Sequence, residues 1–193
     1  MSDVIAISKY QAVDILICVD VEAILSNYDL SKSKTLGTAK SVHNKYFYYI
    51  TSNGNLYTPK NNAKGELEVT VNVADDIRWR PMSLTQQFEY TVLLCHMRLQ
   101  ADDGGDVSLI TLPQLDYGDI SIPYLAKDDN NNISSVVYKR DGENNGGLIT
   151  RYYHQSTAQR AGHGSYVWYM KIYRKKQLLG YIGHDPFITV LDD

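Results

Sequence analysis

Between Gly65 and Arg80 the chain alternates with a period of two. Leu67, Val69, Val71 and Val73 fall on one side, and Glu66, Glu68, Thr70 and Asn72 on the other. Successive side chains of a strand point to opposite faces, so this is a strand with one buried and one wet face. Asp75-Asp76 interrupts the run. Alternation resumes at once, with Ile77 and Trp79 on the apolar side. A helix needs an apolar repeat near 3.6, and nothing here supplies it.

The same grammar recurs along the chain. Val13–Val19 is almost continuously apolar and reads as a central strand, and Lys45–Thr51 and Phe88–Arg98 read as strands. Tyr166, Trp168, Met170 and Ile172 share one face of another strand, whose other face carries Val167, Tyr169, Lys171 and Tyr173. Gln177–Ile182 and Phe187–Leu191 close the set. Pro113 and Pro123 belong to pieces at sheet edges, because proline cannot donate to a ladder. One short helix is expected near the N-terminus: Asp20 suits an N-cap before Val21–Ser26, with Glu22 in the first turn. Eight or more strands joined by turns predict an all-β protein, an antiparallel two-sheet sandwich. Residues 1–193 carry no linker and no repeat, which predicts one domain.

Charge and composition narrow the function. The net charge of −3 leaves no electrostatic footprint for nucleic acid. The basic cluster Arg174-Lys175-Lys176 sits between two strands and reads as a solvated turn. No apolar run approaches a membrane span, and Met1–Tyr10 lacks the pattern of a signal peptide, which predicts a cytoplasmic protein or release by a non-classical route. Cys18 and Cys95 lie within apolar strands and are expected to be buried, reduced thiols. The five histidines have no zinc-site spacing, and no nucleophile elbow or phosphate-cradling loop is present. The chain is therefore not expected to be an enzyme.

Oxygen-rich loops are the remaining candidates. Asp128-Asp-Asn-Asn-Asn132 begins like a calcium loop, but Ile133 and Lys139 stand where that loop needs glycine and glutamate. Asp102, Asp103 and Asp106 cluster around two glycines, as a cation loop or as a plain turn. Asp20 follows the first strand, and Asp185 sits in His184-Asp185-Pro186 before the last. Should those strands meet, the two carboxylates suit Ca²⁺; a helix cap and an Asp-Pro turn explain the same residues. Tyr169 and Tyr173, with Lys171 between them, form a stripe that suits stacking on a sugar or a cross-strand ladder.

Several segments together resemble the AidA/PixA inclusion body proteins. They are Asp14–Leu25 with Tyr28, Tyr46–Thr51 with Gly54, Gly65 with its strand, Asp76–Arg80 with Leu84, and Leu179–Val190. The family's last motif usually has an aromatic residue before the Asp-Pro pair, where this chain has His184. The resemblance implies a jelly-roll-like sandwich, often a homodimer, able to pack into cytoplasmic inclusions. One branch consists of calcium-dependent lectins for mannose-containing glycans. On that basis the chain is expected to be a Ca²⁺-dependent glycan-binding protein of host association. Asp20 and Asp185 are the expected metal ligands, and Tyr169, Tyr173, Asp128 and Asn130 the expected sugar contacts. The alternative is a self-assembling inclusion or storage component without sugar binding. Four methionines argue against a methionine store.

Overall fold

The structure is a computed structural model, and it describes residues 11–55, 62–65, 67–100, 109–121, 124–127, 130, 133–137 and 148–192. By their internal contacts the residues form two compact units, Met1–Gln114 with His154–Asp193, and Leu115–Tyr153.

In the first unit, β1 (Ala12–Val19) lies between β3 (Phe47–Ile50) and β5 (Asp76–Ser83). Residues His154–Thr157 of β10 (Leu148–Thr157) extend this sheet beyond β5. The second sheet is built around β11 (Gly162–Arg174). β6 (Tyr90–Gln100) pairs along one side of it. On the other side β12 (Gln177–His184) and then β13 (Phe187–Leu191) follow end to end. The ladder bridges their junction, because the Tyr166 amide donates to the Pro186 carbonyl at 3.1 Å. β2 (Lys40–Ser41) flanks β12, and β4 (Glu68–Asn72) flanks β13.

The sheets are mixed, not purely antiparallel as the sequence suggested. β1 with β5, β12 with β2, and β13 with β4 all run parallel. The cause is connectivity. From β3 the chain passes to the second sheet as β4 and returns to the first as β5. Parallel neighbours require such crossovers, whereas hairpins give antiparallel pairs. The all-β sandwich, with one short α-helix among the described residues, is as expected.

Alternation sets the core. Val13, Ile15, Ile17 and Val19 point inward from β1, Ile77 and Trp79 from β5, and Tyr166, Trp168, Met170 and Ile172 from β11; all are buried. Each large apolar side chain buried in this way is worth about 1.5–3 kcal/mol. α1 (Val21–Asn27) begins where Asp20 Oδ1 accepts the Ala23 amide at 3.0 Å, and it buries Val21 and Ile24. At Gly65 the backbone passes so close to β3's approach that an added Cβ would lie 2.0 Å from the Asn44 carbonyl oxygen.

The Asp75-Asp76 break is a built turn. Ala74 takes φ 74°, and the buried Asp75 carboxylate accepts the amides of Gln11 and Asn72, each at 2.9 Å. Those amide donors satisfy a group that would otherwise be costly to bury. The two cysteines are free but only half-buried, on the outward side of their strands. Their burial still pushes both thiols up.

The second unit contains β7 (Gln114–Ser121) from Leu115 onward, beside the first part of β10. It also holds a hairpin of β8 (Tyr124–Lys127) and β9 (Ile133–Val137).

Candidate functional site

Asp20 and Asp185 belong to one end of the sandwich. β1 ends at Val19 opposite Phe47, and the Phe47 ring lies 4.8 Å from His184, the neighbour of Asp185. Asp20 is committed to capping α1. Asp185 is exposed in the break between β12 and β13. Among the described residues no group of three or more His, Cys, Asp or Glu side chains is placed to hold a metal.

Between these carboxylates the core is polar and aromatic. Trp168 Nε1 donates to the Tyr49 hydroxyl at 2.8 Å, and that oxygen lies 3.2 Å from His184 Nδ1. The phenolic oxygen has a second lone pair beside the one taken by the indole, so the direction of the Tyr49–His184 hydrogen bond follows the histidine tautomer. Phe47, Tyr49 and Trp168 surround the His184 ring at 4.8–6.0 Å. Histidine thus fills an aromatic position and gains a hydrogen bond. Burial pushes the Tyr49 hydroxyl well above the ordinary phenol, so it stays protonated. A second indole repeats the device: Trp79 Nε1 donates to the Tyr166 hydroxyl at 2.9 Å.

Tyr169 and Tyr173 lie on the outward face of β11, both half-buried. Tyr169 covers Gly183, where an added Cβ would meet its ring at 3.2 Å, and it faces His96 at 5.9 Å. Lys171 sits over the Tyr181 ring at 5.5 Å, and a hydrogen bond with that hydroxyl raises its pKa. Through Tyr169 and Lys171 the stripe makes cross-strand contacts with β6 and β12. Farther along β11, His163 stacks on Phe187 at 5.7 Å. Its Nδ1 lies 3.0 Å from Thr189 Oγ1 and 3.1 Å from Glu68 Oε1.

Asn130 is exposed in a turn of the second unit. Asp128, Asn132, Asp102, Asp103 and Asp106 lie outside the described residues. An open depression of about 570 Å³ runs beside the end of α1, from Leu25 to Ser31 with Lys34 and Leu179. Lys34 Nζ is committed there to the Leu179 carbonyl at 2.7 Å. Asp29's pKa is lowered by its hydrogen bonds from the Ser31 amide and hydroxyl.

An exposed aromatic pair in the second unit was not singled out from sequence. Tyr117 of β7 and Tyr152 of β10 face each other at 6.1 Å, 64% and 56% exposed, with Leu115 62% exposed on the same strand. Asp119 accepts the Thr150 hydroxyl at 2.7 Å, and Asp116 the Tyr153 hydroxyl at 3.2 Å. The available signal was the alternation Leu115-Asp-Tyr-Gly-Asp119, short and broken by glycine.

Comparison with known proteins decides the family. The profile of PixA, described as inclusion body protein, matches residues 11–190. The chain belongs to the PixA inclusion body protein family. A crystal structure of an inclusion body protein of this family from Burkholderia cenocepacia J2315 is similar, with a TM-score of 0.71 at 15% identity. The match covers 94% of this chain and 97% of that one, and at this identity it establishes the shared fold. No curated protein matches the chain. No helix among the described residues is long and apolar enough to cross a membrane. The family assignment gives the quoted segments a physical meaning: Gly65, Gly183 and His184 are close-approach and core positions, and Asp20 is a helix cap.

Proposed function

We propose that this protein is a self-packing inclusion component, stored as ordered cytoplasmic bodies, in which copies meet through their strand surfaces. The observation that carries this reading is the exposed Tyr117–Tyr152 pair with Leu115. Exposed contiguous apolar surface on a strand pair favours association, and among the described residues β7 ends its sheet's strand order, a position that lends itself to pairing. The family's description as inclusion body protein supports it, as does a small net charge of −3, which leaves little repulsion between copies. The test is overexpression of wild type and Tyr117→Ser/Tyr152→Ser, with inclusions scored by electron microscopy. Wild type should form bodies, and the double variant should remain soluble. Equal inclusion formation by both would overturn the role of the Tyr117–Tyr152 pair in assembly.

A second reading keeps the calcium-assisted, lectin-like role at a host surface. What favours it is the arrival of Asp20 and Asp185 at one end of the sandwich. A cation there would compete with the Ala23 amide for Asp20, with open coordination sites left for vicinal sugar hydroxyls. Asp20→Asn retains an N-cap while removing the charge, so it separates the two roles. Calcium should raise the melting temperature of wild type, and a chelator should reverse it. Asp20→Asn and Asp185→Asn should abolish that shift and any chelator-sensitive signal on a glycan array. A calcium shift retained by both variants would overturn this ligand pair.

A further inference from the structure

We infer that the tip formed by the β5–β6 loop and the β11–β12 turn is a contact for an anionic lipid bilayer surface. The β5–β6 loop holds Phe88 88% exposed and Leu84 52% exposed. Isolated apolar residues on a surface are ordinary, but this loop is held in a costly shape. Gln86 and Gln87 take φ 53° and 67°, left-handed values disfavoured for side chains of their size.

A local network holds that shape. The Ser83 hydroxyl donates to the Tyr90 carbonyl at 2.6 Å and accepts the Gln87 amide at 3.0 Å, while Gln87 Oε1 accepts the Val92 amide at 2.9 Å. The amides of Leu84, Gln86 and Phe88 bond to the carbonyls of Val19, Ser83 and Thr85. A loop whose amides are satisfied within the protein loses less on leaving bulk water. That lowers the cost of moving the loop into an apolar interfacial environment.

The second loop supplies the charge. Tyr90 pairs with Arg174, so the β11–β12 turn lies beside the base of the first loop. Arg174 Nε bonds Glu89 Oε1 at 2.7 Å, which joins the two loops and neutralises Glu89. Lys175 and Lys176 remain exposed at the turn. Lys175 takes φ 53°, where glycine or asparagine would be easier. An apolar wedge beside a lysine pair complements a bilayer of negative surface potential, the rings and branched chains entering between headgroups and the ammonium groups meeting phosphates.

The test uses the full chain and vesicles of phosphatidylcholine with or without phosphatidylserine, read by cosedimentation. Wild type should bind the phosphatidylserine vesicles, and binding should weaken as salt rises. Phe88→Ser should weaken it by about tenfold, the scale of a phenylalanine ring returned to water. Lys175→Gln/Lys176→Gln should remove the preference for phosphatidylserine. Phe88→Trp supplies an independent readout, because both native tryptophans are fully buried. Its emission should shift to the blue on vesicle addition and become protected from iodide. Failure of wild type to bind either vesicle overturns the inference. So does unchanged binding by Phe88→Ser, or a Phe88→Ser variant whose only change is reduced self-association, which would make the tip a protein contact.

Discussion

The two units use the same aromatic pieces in opposite ways. In the first, Trp79 meets Tyr166 at 5.4 Å and Trp168 meets Tyr49 at 6.5 Å, all four side chains are buried, and each indole N–H has a phenolic oxygen. In the second, Tyr117 and Tyr152 pair at 6.1 Å with most of each side chain in water. A buried aromatic pair contributes its burial and its hydrogen bond to folding. An exposed pair contributes almost nothing to the isolated chain and is available to a partner. Position within the alternation, not residue type, separates the two uses.

The comparison breaks first at Trp168. Trp168→Ala should cost about 3–5 kcal/mol in a denaturation series, because it opens a cavity between the sheets. It also removes the donor on Tyr49. A loss below about 1 kcal/mol would mean that the aromatic core does not hold the sheets together. Next comes Tyr49→Phe, which deletes the hydroxyl between Trp168 and His184 and leaves two buried groups without that partner. The expected cost is about 1–3 kcal/mol. A neutral result would show that the ring alone is used, and would bring Tyr49 closer to Tyr117 in kind. Tyr117→Ser/Tyr152→Ser then sharpens the other side. Stability of the dilute monomer should stay within about 0.5 kcal/mol, since both sites are largely solvated. Sedimentation velocity at rising concentration should show weaker self-association than wild type.

Much of the first unit was legible because alternation reports burial directly. Val13 to Val19, Leu67 to Val71, Ile77 with Trp79, and Tyr166 to Ile172 all point as their pattern requires. The cap at Asp20 was legible too, because a carboxylate before an apolar segment with Glu22 in its first turn is a local signal for a helix start. Parallel pairing was not legible. It depends on the order in which the chain visits the two sheets, and no residue of β1 or β5 encodes its neighbour's direction. The surroundings of the Tyr169–Tyr173 stripe were hidden for a related reason: on the adjacent strand its register partner Gly183 leaves the space that Tyr169 covers. The His184 cage shows a third limit. Phe47, Tyr49 and Trp168 lie far from His184 in sequence, so its hydrogen-bonded role needs the tertiary structure. The left-handed Gln86, Gln87 and Lys175 carry no glycine signal at all.

The smallest effect tests the step where β10 passes from one kind of environment to the other. Tyr153 is half-exposed and bonded to Asp116, whereas the next residue, His154, is buried opposite Trp79. Burial lowers His154's pKa, with a smaller push from His96. The folded chain therefore resists a proton that the unfolded chain accepts near pH 6.5. Stability is complete above that value and falls as pH drops below it toward the folded pKa, because the unfolded state then binds more protons. Urea midpoints measured from about pH 7.5 down to about pH 5.5 should decline in wild type and decline less in His154→Gln. Burial predicts that difference in slope even if His154→Gln lowers every midpoint by a constant. Identical slopes would place His154 with solvated residues such as Tyr152, and the boundary between buried and solvated positions would move inward along β10.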